Sequence, residues 1–117
     1  MNVRPLAAPD LQAYRELMLQ AYELDADAYT STAQERANAS NAWWLGRLSD
    51  PHGASQAFGA FHADRLVGAV AVEFETRLKI RHKAHLVGMF VAQPCRGLGA
   101  GQALLQAAIT HARQRTE

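Results

Sequence analysis

With 117 residues the chain is long enough for one domain and too short for two, so residues 1–117 are read as a single unit. Its 49% hydrophobic and 20% charged residues are ordinary for a globular protein, and a net charge of +1 lacks the basic excess a nucleic-acid binder usually carries. One cysteine, Cys95, excludes an intramolecular disulfide and argues against a metal cluster; with no apolar signal core and no run of roughly 18 apolar residues, no membrane partner and a cytoplasmic location are expected.

Asn2 to Leu6 reads as a short strand, and Pro5, which has no N–H to give to a ladder, suits it to a sheet edge. Pro9-Asp10 then opens a helix, since proline is tolerated in the first turn and a carboxylate there meets the positive end of the macrodipole. Leu11, Tyr14, Leu17, Met18, Ala21 and Tyr22 recur at helical spacing and carry it to about Glu23. Asp25 to Asn41 is polar, with Thr32 and Glu35 at capping-box spacing, and is expected to be a loop holding a short helix. Its Asp25, Asp27 and Tyr29 could meet a cationic amine or simply face water. Ala42 to Leu48 is a further short helix. Its adjacent Trp43 and Trp44 cannot both face one core, so one of them is expected to line a cleft or an interface.

Gln56 to Phe61 and Leu66 to Glu75 read as strands joined by a turn at His62 to Arg65, with Val70, Val72 and Phe74 on one face of the second strand and Glu73 and Glu75 on the other. The alternation of basic and apolar residues from Arg77 to Lys83 fits a solvated hairpin tip or a rim for phosphates. A strand from His85 to Val91 leads through Pro94 into three alternate glycines, Gly97, Gly99 and Gly101. A helix follows from about Gly99, in which Leu104, Leu105, Ala108, Ile109 and Ala112 form one apolar stripe facing a core.

This last junction carries the chemistry. The first N–H groups of a helix lack intrahelical acceptors and bear the positive end of its dipole, so a phosphate fits there. Glycines let the backbone approach phosphate oxygens and adopt positive φ, and Arg96 adds a charge. A triphosphate-binding Walker loop would end in Gly-Lys-Ser/Thr, whereas Gly101 is followed by Gln102-Ala103; a dinucleotide fingerprint would want glycine at 102. The remaining pattern, Arg96-x-x-Gly99-x-Gly101 after an apolar strand and before Leu104-Leu105, resembles the acetyl-coenzyme A loop of the GNAT superfamily of N-acetyltransferases.

The resemblance extends over the chain. Asn2 to Leu6 followed by Asp10 looks like the usual start of that domain, and Arg81 to His85 running into Gly88 to Val91 looks like its fourth strand. It implies an α/β (α+β) fold, a mixed, mostly antiparallel sheet with flanking helices in the order β-α-α-β-β-β-α. It also implies that the domain is C-terminally incomplete here, because relatives continue into a fifth strand and a fourth helix that carries a proton-donating tyrosine. A fragment, a partner chain filling the gap in a homo-oligomer, and a shortened form without catalysis all remain open. By resemblance the co-substrate is acetyl-CoA and the acceptor a small-molecule or peptide amine. Backbone groups of Phe90, Val91 and Ala92 would hold the pantetheine arm, and those of Arg96, Gly97, Leu98, Gly99, Ala100, Gly101 and Gln102 the pyrophosphate.

In the family's reaction a neutral amine attacks the thioester directly. An alkyl amine of ordinary pKa is only about one part in a few thousand neutral at pH 7, a handicap of roughly 4.6 kcal/mol. A positioned base recovers about 100- to 10,000-fold. The candidates are Glu73, Glu75 and His85, Glu73 being preferred, with a purely structural role as the alternative for each. Cys95 is read as a turn residue. The competing function is a non-catalytic module that binds coenzyme A or pairs with another chain through an exposed strand edge.

Overall fold

The computed structural model describes residues 2–24, 33–50, 53–74, 84–92 and 97–116. Strand β1 (Asn2–Pro5) leads through a 3-10 turn (Ala8–Asp10) into helix α1 (Leu11–Leu24). Two short helices follow, α2 (Ala33–Ala37) and α3 (Asn41–Leu48), then strands β2 (Ser55–His62), β3 (Arg65–Phe74) and β4 (Ala84–Val91), and finally helix α4 (Ala100–Thr116). The strands form one antiparallel sheet in chain order, β1-β2-β3-β4. Pro5 therefore lies on an edge strand, as its missing N–H requires.

Alternation along β2 and β3 divides the core in two. Ala57, Ala69 and Ala71 face α1 and α3, meeting Tyr14, Met18 and Trp44. Phe58, Val70, Val72 and Phe74 face α4, meeting Ala100, Leu104 and Ala108. The result is three layers, helices on both sides of one sheet. Trp44 is fully buried while Trp43 is only half-buried, so the adjacent tryptophans divide as expected.

Local chemistry sets the element ends. Asp10 takes a bidentate ion pair from Arg4, both contacts at 2.9 Å, and accepts the Ala7 N–H, which ties β1 to the start of α1. The Arg4 guanidinium holds the Asp10 carboxyl below its ordinary range, against the opposing effect of partial burial. Ser40 caps α3, its hydroxyl accepting the Trp43 N–H at 3.1 Å. The Gln56 side-chain amide donates to the carbonyls of Leu6 and Leu48, joining β1, β2 and the end of α3.

One expectation fails. Leu105 is exposed and Ile109 half-buried, so the buried stripe of α4 runs along Ala100, Leu104 and Ala108, with Ala107 and Ala112 beside it. The physical reason is the width of the sheet. One flank of α4 (Ala103, Ala107, Thr110) lies over β1, and the other meets β4, where a Cβ on Gly101 would touch Met89 and Val91. Leu105 projects on this second flank, at the last strand described.

Register between β3 and β4 shifts by one residue between Ala69 and Ala71, leaving Gly88 and Met89 opposite Val70. Gly88 takes φ +62 there, the left-handed conformation a bulge of this kind uses. The Met18 methyl lies 3.3 Å from where its Cβ would stand.

Candidate functional site

The glycine loop is held at both ends. Before it, Phe90 is buried on the α1 side, Val91 packs on the α4 side, and the Ala92 N–H donates to the Val67 carbonyl at 2.7 Å. After it, buried Ala100 anchors the first residue of α4. Gly97 and Gly99 have φ of +90 and +85, values that L side chains rarely adopt, and a Cβ at either position would meet nothing within 4 Å. These two glycines are therefore demanded by backbone conformation and open onto free space. Gly101 is different: a Cβ there would find only ordinary contact, 3.7 Å from the Met89 methyl.

The Ala103 N–H closes the first turn of α4 on the Gly99 carbonyl at 3.0 Å. The amides of Ala100, Gly101 and Gln102 precede that bond and belong to the electropositive end of the helix. Among the described strands β4 pairs only with β3, so its other edge faces away from them. An extended backbone edge running into a glycine-lined helix start suits a ligand with an amide-bearing arm and an anionic end. Arg96 and Cys95 lie outside the described residues.

Glu73 and His85 come from the opposite side of the sheet from α4. Glu73 follows Ala69 and Ala71 in strand alternation, so it faces α3, and His85 is its register partner on β4. Directly opposed residues share a face, and the structure thus brings Glu73 and His85 together. Glu75 lies outside the described residues, as do Asp25, Asp27, Tyr29 and the Arg77 to Lys83 stretch. Glu73 pairs with Arg47 of α3 at 3.1 Å. Together with Ala42, Trp43, Gly46, Asp50 and Ser55 they line a cleft of about 300 Å³. Ser55 donates to the Arg47 carbonyl at 2.9 Å, and Asp50 accepts the Ala54 N–H at 3.1 Å, so the cleft's polar walls are fixed from both α3 and β2. Arg47 is the residue sequence reasoning overlooked. The available signal was Trp43 and Arg47 four apart on one helix face, and the Arg47 guanidinium carbon lies 5.4 Å from the Trp43 ring centroid.

The four-stranded antiparallel sheet with helices on both faces is a mixed α/β fold of the kind seen in acetyltransferases. The profile of the acetyltransferase (GNAT) family matches residues 18–117, and the chain belongs to that family of acyltransferases. A search of curated proteins finds no match. Among solved structures, a probable acetyltransferase from Staphylococcus epidermidis superposes with TM-score 0.74 at 25% identity, covering 98% of this chain and 67% of its own. The PaiA N-acetyltransferase of Thermoplasma acidophilum, solved with coenzyme A, gives 0.77 at 18%, covering 97% and 72%. A ribosomal-protein-alanine N-acetyltransferase from Brucella melitensis gives 0.71 at 23%, covering 99% and 69%. The chain therefore spans about two thirds to three quarters of the length of these structures. No described helix is long and apolar enough to cross a membrane.

Proposed function

We propose that this chain transfers the acetyl group of acetyl-CoA to a primary amine by direct attack, in the cytoplasm. The observation that carries the reading is the loop itself: two glycines at positive φ, open to approach, between β4 and the start of α4. The co-substrate would supply an activated thioester carbonyl. Phe90, Val91 and Ala92 would lie along its pantetheine arm, and the amides of Gly97 to Gln102, with Arg96, would hold its pyrophosphate.

The acceptor arrives as an ammonium ion and must lose a proton before its nitrogen can bond to the carbonyl carbon as the carbon–sulfur bond breaks. Glu73, directly or through water, is the group we assign to take that proton, with His85 and Glu75 as the other candidates. The departing thiolate then takes a proton from solvent or from a group outside the described residues. Calorimetric titration of the chain with acetyl-CoA tests the reading. Micromolar binding followed by turnover in an amine screen is expected; a folded chain that binds no coenzyme would overturn it.

A second reading concerns assembly. Leu86 and Met89 of β4 are each exposed, as are Leu98 and Leu105, which favours a homo-oligomer paired through the β4 edge. Sedimentation velocity distinguishes the two states, and a monodisperse monomer would remove this reading.

A further inference from the structure

Arg36 differs from Arg4, Arg15, Arg47, Arg65 and Arg113. Arg4 is paired with Asp10, Arg15 donates to the Ala37 carbonyl, Arg47 is paired with Glu73, and Arg65 and Arg113 are exposed to water. The Arg36 guanidinium is half-buried and makes no hydrogen bond or ion pair among the described residues, and its Nε is buried without an acceptor. It is nonetheless fixed in place. Its carbon lies 4.1 Å from the Trp43 ring centroid, and its backbone carbonyl accepts the Trp44 indole N–H at 3.2 Å. A guanidinium held in place with no ion pair among the described residues is suited to a carboxylate, which its planar fork can bind with two parallel hydrogen bonds.

Trp43 connects this arginine to the cleft. The ring lines the cleft and has both Arg36 and Arg47 against it, so their guanidinium carbons cannot be farther apart than 4.1 and 5.4 Å laid end to end. Arg47 in turn touches Glu73. Within one small-molecule length of Arg47, which lines the cleft with Glu73 and Asp50, there is thus a guanidinium with no ion pair among the described residues. Gly46 adds an independent sign. Glycine weakens a helix interior relative to alanine, and no atom lies within 4 Å of where its Cβ would stand, so packing does not account for it. It lines the same cleft, where a missing side chain makes room for a ligand against the helix. A volume of about 300 Å³ is at the small end for ligand sites.

We propose that this cleft selects acceptors carrying a carboxylate as well as the amine, amino acids or short peptides with a free C-terminus, with the ammonium beside Glu73, the chain against Trp43 and Gly46, and the carboxylate reaching past Trp43 to Arg36, which stands outside the cleft's own lining. Polyamines and other purely cationic amines are then poor acceptors. The assignment rests on reading the Glu73 side of the sheet as the acceptor side of an acetyltransferase.

The test uses a mixed pool of dipeptides, the same pool amidated at the C-terminus, and spermidine, each presented to the full chain with acetyl-CoA. Because the reacting amine is remote from the change, the two pools differ at the carboxylate alone. The free-acid pool is expected to be acetylated at least 10-fold faster than the amidated pool and than spermidine. Arg36→Met should reduce that discrimination to about 2-fold, with Arg36→Lys between the two. Unchanged coenzyme A affinity by calorimetry would show that either variant is folded. Tryptophan fluorescence gives a readout without chemistry, since Trp43 and Trp44 are the only tryptophans: the free-acid pool should change it and the amidated pool should not. Equal response to the two pools, preference for spermidine, or undiminished discrimination in Arg36→Met overturns the proposal while leaving an acetyltransferase. Failure to bind coenzyme A, with the fluorescence discrimination intact, would overturn the acetyltransferase reading and leave the carboxylate site.

Discussion

The two faces of the sheet are packed by different means. On the α4 side the helix contributes two small residues, Ala100 and Ala108, and one branched residue, Leu104, to the contact with the strands. On the other side α1 and α3 bring rings, Tyr14, Tyr22 and Trp44, and Trp44 meets Tyr14 edge-on at 5.9 Å between centroids. Large rings fill the middle of that layer but leave its margin irregular, and the cleft with Glu73 opens there. One face places backbone atoms; the other makes room for side-chain chemistry. In this reading the coenzyme is bound mainly by main chain at the first, and the acceptor by side chains at the second.

That contrast can be broken most forcefully at its densest point. Trp44→Ala removes the largest fully buried side chain and should cost about 3–5 kcal/mol, measured by urea denaturation; a loss under 1 kcal/mol would mean the ring layer is not the support we describe. Next, Ala108→Leu on the opposite face should cost about 1–3 kcal/mol by overpacking. It should also weaken acetyl-CoA binding by moving α4, whereas a core substitution on the α1 side should alter stability with coenzyme affinity little changed.

Within the loop, Gly99→Val should abolish coenzyme binding, because a branched residue resists φ near +85 and its Cβ enters the open space before the helix. Gly101→Ala should bind normally and gain up to about 1 kcal/mol of helix stability. Equal behaviour of the two variants would remove the distinction between them. At the cleft, Glu73→Gln should lower kcat by about 100-fold or more, with coenzyme affinity retained.

The smallest expected effect is at the sheet edge. Asp10 has a carboxyl held below its unfolded range by Arg4, so its stabilisation is present above the unfolded value and lost as pH falls through the folded one. The stability gap between the protein and Asp10→Asn should therefore be constant near neutrality and close below about pH 4. A gap that widened toward acid would contradict the ion pair.

The loop was legible in the sequence because a glycine requirement is local: positive φ at 97 and 99 is a property of those residues, and the pattern around them is short. The strands were legible for a similar reason, since alternation from Leu66 onward marks which residues share a face. What periodicity does not state is how wide the opposite surface is, so Leu105 was assigned to a core that ends before reaching it. The cleft was largely hidden. Arg47 and Glu73 belong to different elements, and only the register of β2 against β3, with α3 laid across their ends, brings them to 3.1 Å. Ser40 as the cap of α3 was available as a local signal. It was overlooked because the run of small polar residues before it read as loop.

The additional residue at Gly88 has a consequence for inheritance. Upstream of it His85 and Val87 look toward α1, downstream Phe90 and Ala92 do, so odd and even positions exchange roles within one strand. Point substitutions along β4 leave that phase intact and are judged one at a time. Deleting a single residue at 88 would transpose every later side chain, turning Phe90 out of its core and presenting the loop from the wrong face. A lineage carrying this strand can therefore vary its letters far more freely than its length.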